Sequence, residues 1–156
     1  MQKSLAVALD IGTTNIEGAL VDVVSRKTLS QKTIINEQVS YGHDVITRLG
    51  FAIKKQENLK TLNSAVISSI NKILNRLCDK DDLKSVSRIV AVGNSAMYHL
   101  ALNIDPTSLT MAPFRPKEKG YFSAPRPIDL RARSLPTPDN GIRVFPLPPC
   151  ILVGSQ

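Results

Sequence analysis

The sequence predicts an α/β fold, a mixed sheet made of an antiparallel three-strand meander followed by parallel strands, with flanking helices. Three observations lead to it. The apolar run Leu5–Leu9 is followed by two further β-type segments joined by short turns. One long stretch, Leu59–Leu77, repeats its apolar residues at helical spacing. A β-branched run, Ile89–Val92, passes through Gly93-Asn94-Ser95 into a second helical pattern, and such a strand–turn–helix unit calls for a parallel crossover.

The elements follow in order. Leu5–Leu9 has no polar residue and reads as a strand buried on both faces. In Ile16–Val23, Ile16, Gly18, Leu20 and Asp22 fall on one side and Glu17, Ala19, Val21 and Val23 on the other. Ser25-Arg26-Lys27 is a polar turn, and Leu29–Asn36 mixes β-branched and polar residues as an exposed strand does. Tyr41–Phe51 reads as one short amphipathic segment with Val45, Ile46, Leu49 and Phe51 as its apolar members. In the long helix, Leu59, Leu62, Val66, Ile70, Ile73 and Leu77 are spaced 3, 4, 4, 3 and 4, which is one face of an α-helix. It is expected to close in the charged stretch Asp79–Lys84. Met97, Leu100 and Ala101 mark a helix of a few turns after Gly93.

From Asp105 the texture changes, because Pro106, Pro113, Pro116, Pro125, Pro127, Pro136 and Pro138 interrupt any long element. Met111-Ala112-Pro113-Phe114 carries apolar anchors, so ordered loop packing is expected there rather than a free linker. Val144–Pro146 is one more short strand before Leu147-Pro148-Pro149. The domain reading is a single domain over 1–156, with an α/β core at 1–104, Pro-rich loops at 105–143, and a last strand with a truncated end at 144–156.

Composition excludes several classes. The 156 residues are 42% apolar and 21% charged, as in a folded protein. No apolar run approaches the roughly 18 residues that cross a bilayer, and Leu5–Leu9 is too short for a signal peptide. The expectation is a cytoplasmic protein without a membrane partner. Cys78 and Cys150 are far apart and form no CxxC pair, and His43 and His99 are isolated, so neither type suggests a metal or iron–sulfur site. Met1–Ile53 holds five basic and five acidic residues, so the net +7 comes from the rest of the chain. With aromatics at 4% and the basic residues scattered, that charge reads as a solvated surface and not as a nucleic-acid interface. Part of it could draw in polyphosphate or an acidic partner.

The chemistry concentrates in Asp10-Ile11-Gly12-Thr13-Thr14-Asn15. A strand that ends in a carboxylate can carry it to a sheet edge, where it holds magnesium directly or through water. Gly12 lets the backbone approach a phosphate closely, since no Cβ intervenes. Amides and hydroxyls of Gly12, Thr13 and Thr14 can then donate to phosphate oxygens. Asp-x-Gly alone favours a hydrophilic hairpin turn; the buried strand before it and the second strand after it favour phosphate.

Strand hairpin, third strand, helix, strand, helix, strand is the order of an N-terminal half-domain in the actin-like ATPase superfamily, with its ribonuclease H-like fold. Asp10-Ile11-Gly12-Thr13-Thr14 resembles that superfamily's first phosphate loop. Three further stretches narrow the resemblance: Asn36-Glu37-Gln38-Val39-Ser40-Tyr41-Gly42-His43-Asp44-Val45-Ile46-Thr47-Arg48, Val92-Gly93-Asn94-Ser95-Ala96-Met97-Tyr98-His99-Leu100, and Leu109-Thr110-Met111-Ala112-Pro113-Phe114. Together they resemble the ATPase domain of the reductive activators of corrinoid proteins, from about Leu5 to Gly154.

The resemblance implies ATP and Mg²⁺ as ligands, a corrinoid protein as partner, and an electron delivered by a [2Fe–2S] cluster in a separate N-terminal domain absent here. It also implies a second half of the ATPase domain that closes the cleft. The chain departs from the family in having no cysteine cluster, in stopping at Val153-Gly154-Ser155-Gln156, and in carrying Cys150-Ile151-Leu152 where a glycine-rich stretch is expected. It therefore reads as a fragment, with the exposed half-cleft open to a second copy in a homodimer.

On this reading Asp10 is the catalytic and metal-positioning carboxylate, and Gly12, Thr13, Thr14 and Asn15 contact the β- and γ-phosphates. Gly93 and Asn94 are further candidate cofactor contacts, because Gly93-Asn94-Ser95 could present amides to an anion; Asn94 or Ser95 as a plain N-cap fits the same residues. Asp44 and Arg48 stand at i, i+4, which suits a helix-surface ion pair; the functional alternative has Asp44 facing the cleft and orienting water. Arg115 and Lys117 suit a solvated loop or a partner contact. Competing functions are a non-catalytic half-domain serving folding or assembly, and a half-domain of a sugar or acyl kinase.

Overall fold

The computed structural model describes residues 4–116, 122–123 and 142–146. Three strands open the chain: β1 (Leu5–Ile11), β2 (Asn15–Asp22) and β3 (Lys27–Ile35). A 3₁₀ turn (Glu37–Tyr41) leads to α1 (Val45–Ala52), α2 (Gln56–Leu77) and α3 (Lys80–Ser85). After them come β4 (Val86–Gly93), α4 (Ser95–Ala101), a 3₁₀ turn (Thr107–Leu109), β5 (Phe122–Ser123) and β6 (Ile142–Pro146).

One six-stranded sheet runs in the order β3-β2-β1-β4-β6-β5. β1, β2 and β3 pair antiparallel as a meander, while β1 with β4 and β4 with β6 pair parallel. The mixed sheet of the predicted fold class is therefore present, with α1 to α3 making the crossover from β3, at the sheet edge, to β4 beside β1. β6 begins two residues ahead of the expected Val144, and β5 adds a short antiparallel edge within the Pro-rich region.

The core lies between the sheet and α2. Leu5, Val7, Leu9 and Ile11 of β1 and Ile16 and Leu20 of β2 are buried against Leu62, Val66, Ile70 and Ile73 of α2. At Gly18 the helix comes so near that an added Cβ would lie 2.7 Å from Leu77 Cδ1. Burying this stripe removes apolar surface from water at roughly 25 cal/mol per Å², the main term holding helix to sheet.

Four expectations are corrected by packing. β1 is buried on one face only: Ala8 and Asp10 alternate outward and are exposed, because α2 and α4 pack on the other side. Tyr41–Phe51 is not one amphipathic segment. It breaks at Gly42, where a Cβ would lie 2.8 Å from Arg48 N, and within α1 Ile46 is 75% exposed while Arg48 is 0%. Asp79–Lys84 does not close α2. The Asp79 carboxylate accepts from the N–H groups of Asp81 (2.9 Å) and Asp82 (2.7 Å) and starts α3 as its N-cap. Met111 and Phe114 do not anchor the Pro-rich loop, being 58% and 64% exposed, and Leu109 packs against the core instead.

Cys78 is buried, and desolvation, with the Asp82 and Asp79 charges behind it, pushes its thiol up to about 11. It is a protonated, packed thiol at neutral pH. Lys117, Pro125, Pro127, Pro136, Pro138, Leu147-Pro148-Pro149, Cys150-Ile151-Leu152 and Val153–Gln156 lie outside the described residues.

Candidate functional site

The site is built at the end of β1. Asp10 is exposed and pairs with Glu17 across the hairpin; Ile11 pairs with Ile16, leaving Gly12, Thr13 and Thr14 as the connecting loop. The loop is tight: a Cβ on Gly12 would lie 2.6 Å from the Asn15 carbonyl oxygen. Only glycine fits without moving the backbone. Thr14 and Asn15 are exposed and Thr13 is half-buried, with Asn15 already the first residue of β2.

Two asparagines hold this loop from opposite directions in sequence. Asn36, at the end of β3, donates its backbone N–H to the Thr14 carbonyl (2.8 Å) and its side-chain Nδ2 to the Gly12 carbonyl (2.9 Å). Asn94, at the end of β4, donates Nδ2 to Thr13 Oγ1 (3.2 Å) while its Oδ1 accepts from the Met97 N–H (3.0 Å). Asn94 is thus the N-cap of α4, which decides between Asn94 and Ser95 as cap. The parallel register that sets Gly93 opposite Ile11 brings Asn94 beside the loop.

Sequence reasoning placed Asp10, Gly12, Thr13, Thr14, Asn15, Gly93 and Asn94 in the site, and the fold brings these together. Asp44 is the N-cap of α1. Its carboxylate accepts from the Thr47 N–H (2.8 Å) and the Thr47 hydroxyl (2.7 Å), and these bonds hold its pKa below the ordinary value. The surface ion pair with Arg48 is not formed. Arg48 turns into the core, donating Nε and Nη2 to the Gly42 carbonyl (3.2 and 2.8 Å) and Nη1 to Gln38 Oε1 (3.2 Å). Desolvation lowers its pKa, and the Asp44 charge opposes that shift.

Asn36, Gln38 and Arg48, all fully buried, were not singled out from the sequence as site residues. The signal that could have found them is their place together in the Asn36–Arg48 stretch that carries the resemblance. Among the described residues no cluster of three or more His, Cys, Asp or Glu side chains is formed. The exposed Asp10 carboxylate, with exposed Glu17 opposite it and a close-approach glycine and two hydroxyls beside it, still suits magnesium, which takes one or two carboxylates and fills its shell with phosphate oxygens and water.

A meander continued by parallel strands, with a glycine loop at the β1 end, defines the class: an actin-like ATPase-type fold. Residues 5–147 match the family described as the RACo middle region, and the chain belongs to that family. It is 37% identical over 110 residues to the corrinoid activation enzyme RamQ of Eubacterium limosum, an alignment covering 69% of this chain and 18% of that protein. It also superposes on a solved reductive activator for corrinoid, iron-sulfur protein with a TM-score of 0.79 and 33% identity, over 94% of this chain and 23% of that one. The chain spans about a fifth of the length of these relatives.

Proposed function

We propose that this chain is the Mg-ATP phosphate-binding half of an ATPase that powers reductive activation of a corrinoid protein. The observation that carries the reading is the Gly12–Thr14 loop, held by Asn36 and Asn94 directly after the exposed carboxylate of Asp10. The roles of the two relatives, a corrinoid activation enzyme and a reductive activator for corrinoid, iron-sulfur protein, support a corrinoid protein as partner.

In this reading Asp10 holds magnesium directly or through water, and the metal, when bound, neutralises charge on the phosphate oxygens. Thr13 and Thr14 supply hydroxyl donors, and Gly12 keeps the backbone close enough for its neighbours' amides to reach the same oxygens. Asn15, Gly93 and Asn94 border the phosphates. Asp44, with its carboxylate committed to Thr47, fixes the start of α1. A second half of the ATPase domain would supply the facing loop, and the electron would come from a separate [2Fe–2S] domain. Nucleotide energy is useful to the partner only if the ATPase binds its redox states with different affinity.

Calorimetry with Mg-ATP tests the site. Asp10→Asn is expected to weaken binding about tenfold or more, the scale of losing a charge-assisted contact. Equal affinity in the native chain and the variant overturns the assignment of Asp10.

A further inference from the structure

We infer that Asn36 is a positioning residue for the Gly12–Thr14 loop, and that Arg48 acts on the loop from the core through Gln38 and Asn36. The inference rests on the phosphate-loop reading above and identifies what holds that loop in shape.

Asn36 is 0% exposed and grips the carbonyls on both sides of Thr13, using its backbone N–H on Thr14 and its side chain on Gly12. Its amide orientation is dictated, because Oδ1 accepts the Gln38 N–H at 3.0 Å and so leaves Nδ2 to face Gly12. Gln38 is held in turn. Its Nε2 donates to the Leu62 carbonyl of α2 (2.9 Å), and its Oε1 accepts from Arg48 Nη1 (3.2 Å) and, at 3.5 Å, from Asn36 Nδ2.

Arg48 carries a lasting charge into the core, and its hydrogen-bond acceptors among the described residues are neutral: Gly42 O, Gln38 Oε1 and Met97 Sδ. Burying a cation in this way costs desolvation, which its hydrogen bonds to Gly42 and Gln38 offset. What Arg48 adds is direction. Its planar fork pins the Gly42 carbonyl and the Gln38 amide at once, and Gln38 pins Asn36.

The circuit closes through α4. Met97 Sδ lies 3.5 Å from Arg48 Nη1 and 3.8 Å from Asn36 Nδ2, and the Met97 N–H is capped by Asn94, which reaches Thr13. All three loop residues are therefore clamped by one ring of contacts running through the core. Asn36, Gln38 and Arg48 are fully buried, so these members act on the loop's geometry and not on a ligand.

The test is backbone NMR relaxation on this chain without nucleotide, paired with Mg-ATP calorimetry, for the native protein, Asn36→Asp, Arg48→Met and the double variant. Asn36→Asp keeps the size and the acceptor for Gln38 and loses the donor to Gly12. Both single variants are expected to drop the order parameters of residues 12–15 from about 0.85 to below about 0.6 while β1 and β4 stay rigid. The double variant is expected to lose no more, because both act on one clamp. Mg-ATP affinity is expected to fall about tenfold in each. An unchanged loop in Asn36→Asp, or a loss of order spread evenly over the sheet, overturns the inference and leaves the network a stabilising one. Where Arg48→Met does not fold, Arg48→Lys retains the charge without the fork and is expected to loosen the loop in the same way. No Mg-ATP binding by the native chain, with the loop responding as expected, supports the clamp and overturns the phosphate reading.

Discussion

Asp44 caps α1 in the fold, accepting from Thr47 through both carboxylate oxygens. Its carboxylate is spent on the Thr47 N–H and hydroxyl, which favour the charged form. The sign of its pH dependence follows. A carboxyl whose folded pKa lies below its ordinary 3.8 stabilises the fold above that value, and the contribution is lost as pH falls through the folded pKa. Hydrogen exchange of the Thr47 amide is expected to speed up, beyond its intrinsic pH dependence, as pH falls below that ordinary 3.8 and through the lowered folded pKa. Asp44→Asn keeps an oxygen acceptor for the cap and is expected to flatten that response; a response as steep in the variant would remove Asp44 as its source. Arg48, one turn later, has the opposite fate: a charge drawn into the core and surrounded by neutral acceptors.

At the scale of elements, α2 was the most legible and is the most consequential. All six residues named from its periodicity, Leu59 through Leu77, are buried in the structure. Ile70 is 0% exposed in the cluster that joins α2 to β1 and β2. Ile70→Ala is expected to cost about 2–5 kcal/mol, transfer and cavity terms together. Ile46→Ala, on the 75% exposed face of α1, is expected to stay within about 0.5 kcal/mol. Urea denaturation measures both, and equal costs would contradict the burial pattern. α1 was misread because apolar spacing over so short a segment does not decide which face turns inward. Gly42 closes against the backbone of Arg48 and turns α1 so that a guanidinium, not Ile46, faces the core.

At the scale of the molecule, the site lies where one β-hairpin loop, the end of β3 and the end of β4 meet. The fold offers one wall of the proposed nucleotide cleft, and the chain covers 18% and 23% of its two longer relatives. Phosphate release from Mg-ATP by this chain alone is accordingly expected to match the uncatalysed background. Turnover that is well above background and abolished by Asp10→Asn would show that the single wall suffices. Among the described residues no helix is long and apolar enough to cross a membrane.

The sequence by itself determined the strand meander, the long helix, the strand–turn–helix unit and the residues of the loop from Asp10 to Asn15. These are local properties: hydrophobic period, turn residues and the absence of a side chain at Gly12 are fixed by neighbours a few positions away. The resemblance carried by Asn36–Arg48 and Val92–Leu100 pointed to the right family without saying what those residues do. Only the tertiary structure decided that Asn36 holds the loop, that Asn94 reaches Thr13 across 81 positions, and that Arg48 is inside. Contacts of that kind depend on the parallel pairing of β1 with β4 and on the packing of α2, and no local pattern encodes them. The Asp10–Asn15 loop was written in the first strand and its turn. The contacts that hold it come from the rest of the chain.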